Sequence, residues 1–138
     1  MDISGPAVRM RIYLGESDRL GHIPLYEAIV KRAREEGIAG ATVLKGVLGF
    51  GASDHIRTSK LLDLSGDMPL VVEIVDRAEK IESFRPLLTE MMETCGRGGM
   101  VTLGDIQVID LVHHHPAHVE ALYKGRKPVI HDTNQLGG

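Results

Sequence analysis

The sequence predicts an α+β sandwich of order βαββαβ, and three observations carry that expectation. Residues 8–14 alternate apolar and polar with a period of two. Two longer stretches, near 24–36 and 76–95, repeat apolar residues at helical spacing. Short β-prone runs lie between and beyond them, each bounded by glycine or proline. Period two marks a half-buried strand and period 3.6 an amphipathic helix. Two helices over one face of a mainly antiparallel four-stranded sheet make a ferredoxin-like unit.

The elements follow in order. Val8, Met10, Ile12 and Leu14 alternate with Arg9, Arg11 and Tyr13, giving a first strand with the arginines on its outward face. Gly15-Glu16-Ser17-Asp18 ends it, and Pro24 suits the first turn of a helix. Leu25, Ala28, Ile29 and Ala33 form that helix's apolar stripe, and Gly37 closes it. Ala41–Leu48 reads as a second strand. Pro69–Val75 is nearly continuously apolar, a central strand that tolerates proline as its first residue. Asp76 with Glu79 resembles a capping arrangement opening a second helix on Ile81, Phe84, Leu87, Leu88 and Met91. Pro86 inside this pattern predicts a kink or a split. Cys95-Gly96-Arg97-Gly98-Gly99 ends it, with a short strand at Val101–Leu103 and a last one at Asp105–Val112.

Two segments do not serve the core. Lys45-Gly46-Val47-Leu48-Gly49-Phe50-Gly51 places three glycines close together before a long polar-leaning stretch reaching about Asp67. Glycine buries no side chain, so its use here is a sharply turning backbone with N–H groups open to something else. Long loops in small domains are uncommon and often functional. Gly96-Arg97-Gly98-Gly99 is the second such segment. Successive N–H groups in such turns form concavities that attract anions, and Arg97, Arg57 or Lys45 would add a charge-assisted bond to a phosphate. A plain strand exit at Gly49–Gly51 and a plain helix cap at Gly96–Gly99 remain open alternatives.

Composition excludes several classes. The chain has 138 residues, 43% of them hydrophobic, and a net charge of −3 without a basic face for nucleic acid. Tyr13 is the only aromatic residue in the predicted strands, too few for stacking RNA bases. Cys95 is the single cysteine, so there is neither an internal disulfide nor a cysteine zinc cage. No apolar run approaches the roughly 20 residues that span a bilayer, and Met1–Gly5 lacks a signal-peptide start. A cytoplasmic protein is the expectation. Residues 6–112 read as one domain, and 113–138 as a His-rich tail that is partly extended or mobile. His113 and His115 would share a strand face and are weak metal candidates. Pro116 follows and no clear four-ligand set completes them, so no metal site is expected. Glu16-Ser17-Asp18 and His22 offer acid and nucleophile types but no triad, and no catalytic residue is assigned.

The runs Arg11–Asp18, Pro24–Val30 and Gly40–Gly46, with Gly49-Phe50-Gly51, together resemble a bacterial and archaeal family catalogued as domain of unknown function 190. Its members look like PII signal-transduction proteins. The resemblance runs from about Val8 to Leu111. It implies a homotrimer binding an adenine nucleotide (AMP, ADP or ATP) in each cleft between neighbours, with no other cofactor. It also implies a regulator that signals through a mobile loop to a membrane transporter or enzyme partner. Gly49-Phe50-Gly51 matches the turn at the base of the PII T-loop, which makes Ala52–Gly66 the loop. Gly96-Arg97-Gly98-Gly99-Met100 matches the B-loop, so the two segments would converge across a subunit boundary. The implied nucleotide site is Lys45, Gly49, Phe50, Gly51, Arg57, Arg97, Gly98, Gly99 and Met100. Three departures bear on the ligand. Ala52 and Met100 stand where typical PII proteins carry basic residues, and Ile109-Asp110-Leu111 lacks their two arginines. Fewer cations imply fewer phosphates or a different anion. A small-metabolite or metal-sensing regulatory domain is the alternative, and a small hydrolase in the same cleft a weaker one.

Overall fold

A computed structural model describes residues 3–51, 56–58 and 67–112. The chain runs β1 (Gly5–Gly15), a small hairpin of β2 (Arg19–Leu20) and β3 (Ile23–Pro24), then α1 (Leu25–Glu35) and β4 (Gly40–Lys45). β5 (Leu48–Gly49) and β6 (Arg57–Thr58) form a second short hairpin pair, followed by β7 (Pro69–Asp76), α2 (Ala78–Cys95) and β8 (Met100–Val108). The main sheet has the order β4-β7-β1-β8 with every neighbouring pair antiparallel. The expected βαββαβ order is therefore present, with two miniature ribbons added at its turns.

Register explains the core. Met10 lies opposite Ile74 on β7 and Leu103 on β8, and Ile12 opposite Val72 and Val101. Side chains alternate across a strand, so Met10, Ile12, Leu14, Leu70, Val72 and Ile74 share one face. Leu25, Ile29 and Ala33 from α1 and Ile81, Phe84 and Leu88 from α2 close over it. The other face carries Arg9, Arg11, Tyr13, Val71, Glu73 and Val75, all half-buried, and Leu44, which is exposed. Arg11 Nε donates to Glu73 Oε2 at 2.9 Å across the β1–β7 ladder, and this bond holds the guanidinium pKa above its ordinary value.

Four expectations need correction. The second strand does not reach Leu48: it stops at Lys45, where the Gly46 N–H donates to the Pro69 carbonyl at 2.7 Å. A Cβ at Gly46 would meet Pro69 at 3.0 Å, so a close backbone crossing takes the place of the ladder. Asp76 does not cap α2. Its buried carboxylate accepts from the Ala39 N–H at 2.9 Å and the Arg77 N–H at 2.7 Å, while Arg77 occupies the N-cap with no side-chain capping hydrogen bond. Of the kink or split expected at Pro86 the split is absent, since α2 is continuous over Ala78–Cys95. Ile81, Phe84 and Leu88 anchor turns on both sides of it, and Pro86 itself faces solvent. Finally, β8 is one strand over Met100–Val108 rather than two, because Gly104 stays in register with Arg9.

Candidate functional site

The turn after β1 is fixed from several sides. The Gly15 N–H donates to Asp18 Oδ2 at 2.9 Å, and the Asp18 N–H donates back to the Gly15 carbonyl at 3.1 Å. The Asp18 carbonyl accepts the Leu25 N–H at 2.7 Å, which ties the turn to the start of α1. Asp18 is 1% exposed as a result. Its Oδ1 lies 4.0 Å from Arg97 Nε in the turn between α2 and β8.

Neighbouring residues of the same turn hold both roots of the long segment. Lys45 Nζ, just before it, pairs with Glu16 Oε2 at 2.9 Å. Just after it, the Glu16 N–H donates to the Met68 carbonyl at 2.9 Å and the Ser17 N–H to Asp67 Oδ1 at 3.1 Å. Glu16-Ser17-Asp18 thus touches Lys45, Asp67, Met68 and Arg97.

A small cavity of about 40 Å³ opens beside this turn, lined by Tyr13, Leu14, Gly15, Asp18, Phe50, Gly51, Pro69, Arg97, Gly98 and Gly99. A single water needs about 10–15 Å³ of such volume, so the cavity accepts a group of a few heavy atoms, not a whole nucleotide. The two glycine turns singled out from the sequence meet here within one chain, so no subunit boundary is needed to join them. Their glycines are not equivalent. Gly96 is the C-cap of α2 at φ +74°, its N–H donating to the Met92 carbonyl at 3.0 Å, and Gly98 sits at φ +79°. A side chain is strained at either position. A Cβ on Gly99 would meet the Tyr13 carbonyl at 3.0 Å and collide with the Met92 terminal methyl, whereas a Cβ on Gly51 would meet nothing within 4 Å among the described residues.

The expected site residues divide accordingly. Phe50, Gly51, Arg97, Gly98 and Gly99 line the cavity, with Phe50 69% exposed at its rim. Lys45 is engaged with Glu16, Gly49 packs against Pro69, and Met100 pairs with Tyr13 on the sheet; none of the three lines the cavity. The Arg57 backbone pairs with Gly49. His113 and His115, the rest of 113–138, and most of Ala52–Gly66 lie outside the described residues. Asp18 and Tyr13 were not foreseen. The signal for Asp18 was an acidic residue inside a glycine-started turn, which read as a strand end and as an acid type without a triad. A larger groove of about 820 Å³ at the start of α2, bordered by Pro6, Arg77 and Asp105, carries none of the expected residues. Among the described residues, no group of three or more His, Cys, Asp or Glu could hold a metal ion, and no helix is long and apolar enough to cross a membrane.

Residues 7–108 match the model of the family DUF190, described as Uncharacterized ACR, COG1993. A UPF0166 protein of Aquifex aeolicus is 38% identical over 103 residues, covering 74% of this chain and 92% of the relative. The UPF0166 protein MJ1524 of Methanocaldococcus jannaschii is 33% identical over 99 residues, covering 72% and 88%. Among solved structures, CPII of Thiomonas intermedia K12, a nitrogen regulatory PII-like protein, superposes in its ADP and bicarbonate complex with a TM-score of 0.53 at 20% identity. That match covers 76% of this chain and 90% of CPII. The fold is thus similar to that of a PII-like protein. The chain belongs to the DUF190 family.

Proposed function

We propose that this DUF190 protein is a non-enzymatic, PII-like regulator of the cytoplasm that binds an adenine nucleotide and reports its presence to a protein partner. The observation that carries the reading is the meeting of Gly51 with Gly98 and Gly99 around one cavity. Glycine turns at a cavity leave backbone N–H groups for an anion, and apolar strand residues are near for a base. The fold similarity to CPII, a protein solved with ADP and AMP, points the same way.

In this reading residues 6–112 are the nucleotide-binding domain and three copies assemble, each nucleotide lying in a cleft between neighbours. Open sheet surface supports assembly. Leu44 is 51% exposed on one edge strand, and Met100, Val101 and Leu103 are exposed on the other. Such edges are ordinarily covered or blunted. The segment between Gly51 and Asp67 carries the signal to a transporter or an enzyme, because its roots are tied to the turn that forms the cavity. A nucleotide moves it only by binding one arrangement better than another.

Calorimetric titration of the full chain with AMP, ADP and ATP, followed by chromatography of the nucleotide, tests this. Saturable heat with the nucleotide recovered unchanged is the expected outcome. Absence of heat with all three, or accumulating product, overturns it.

A further inference from the structure

We propose that the outer face of the main sheet is the surface on which copies of this chain meet, with Arg9 of each copy donating to Glu73 of the next. This rests on the assembly reading above and deepens it, to the face and the ionic contact that join two subunits.

The make-up of the face supports it. An antiparallel sheet with one side on the core ordinarily turns polar residues to water on the other. Here register puts Tyr13, Leu44, Val71, Val75 and Met100 on the side away from both helices. Arg9, Arg11 and Glu73 are the charged residues of that side of the four strands. Arg11 Nε donates to Glu73 Oε2 at 2.9 Å. Arg9 lies opposite Val75 and Gly104, neither of which offers a side-chain acceptor. Its Nη2 stands 3.6 Å from where a Gly104 Cβ would be, so the guanidinium extends over that glycine. Among the described residues, Arg9 has no hydrogen-bond or ion-pair partner, and Glu73 Oε1 accepts no bond.

Each copy therefore shows one unused guanidinium and one unused carboxylate oxygen on the same largely apolar surface. The two are complementary between copies. Covering this face without a partner for Arg9 would bury an uncompensated charge, which is strongly unfavourable. Glu73 is the carboxylate that the face offers, and an ionised carboxylate has lone pairs enough to accept from two guanidinia. Glu73 then joins Arg11 of its own chain to Arg9 of the neighbour. A head-to-tail contact of this kind, repeated from copy to copy, closes a ring.

The test is light scattering and sedimentation of the full chain as wild type, Arg9→Glu, Arg9→Ala and Lys31→Glu, with circular dichroism to follow folding. Wild type is expected as a closed particle of about three chains. Arg9→Glu sets a carboxylate against Glu73 and should leave folded monomers. Arg9→Ala removes one charge-assisted bond per boundary, so the concentration at which the particle comes apart should rise about tenfold to a hundredfold. Lys31→Glu changes the net charge equally on the exposed side of α1 and should leave the particle whole. If Arg9→Glu does not fold, Arg9→Ala decides, because Arg9 makes no bond within the described residues. An Arg9→Glu particle of wild-type size, or an Arg9→Ala particle as resistant to dilution as wild type, overturns the contact and leaves the assembly reading intact. Dissociation by Lys31→Glu as readily as by Arg9→Glu overturns it too, because net charge is then the cause. A monomeric wild type removes both the contact and the assembly, while nucleotide binding is decided separately by the calorimetry.

Discussion

Two glycines on the same cavity wall should differ in what one added methyl group costs in stability. In Gly99→Ala the new Cβ would sit 3.0 Å from the Tyr13 carbonyl and inside the space of the Met92 methyl. Met92 is flexible at its end and can move. The Tyr13 carbonyl cannot, because Tyr13 is held between Val71 and Met100 in the sheet. The backbone of the α2–β8 turn must therefore shift, and overpacking of this kind costs about 1–3 kcal/mol. At the usual unfolding entropy per residue, a chain of this length loses about 3–10 °C in Tm for that cost. Gly51→Ala meets nothing within 4 Å among the described residues and requires no positive φ, so its change should stay within about 0.5 kcal/mol. Thermal unfolding followed by circular dichroism at equal protein concentration compares the two. Affinity for AMP should fall in both, since both methyl groups border the cavity. A Gly99→Ala protein melting with wild type, or a Gly51→Ala protein losing as much as Gly99→Ala, would refute the steric argument.

Asp76→Ala removes the acceptor of two backbone N–H groups, those of Ala39 and Arg77, and should destabilise by roughly 2–4 kcal/mol, with Asp76→Asn losing less; urea titrations measure both. Light scattering should find about three chains per particle in closed symmetry, and Leu44→Asp, on the exposed outward face of β4, should lower that number without lowering helix content. A wild-type monomer throughout the micromolar range would sink the assembly reading.

Much of the fold was legible because β1 alternates strictly, β7 is a nearly continuous apolar run and the helices carry one apolar stripe each. Met10, Ile12, Leu14, Leu25, Ile29, Ile81, Phe84 and Leu88 are core residues as their spacing predicts. Two of the errors share a physical origin in backbone and side-chain bonds between segments far apart in sequence. Lys45 ends β4 because Gly46 meets Pro69, and Asp76 turns away from α2 because the Ala39 N–H lies within reach. Local pattern rules weigh neighbours in sequence and have no access to either partner.

The same reasoning separates what was readable in the site from what was not. Glycine turns announce themselves, since clustered residues without side chains add nothing to a small core. Their meeting depends on register: Tyr13 opposite Met100 brings the end of β1 beside the α2–β8 turn, and Gly15 opposite Pro69 brings it beside the glycines that follow β4. A slip of one residue in either ladder would turn the core face of β1 outward, so the hydrophobic pattern fixes the register and, through it, the site. What register cannot announce is charge. Arg97 and Lys45 read from sequence as free phosphate ligands, yet each faces a carboxylate from one three-residue turn. A cation already matched inside the protein attracts a phosphate less than its count suggests, and the number of basic residues near glycine turns therefore overstates the charge a ligand meets.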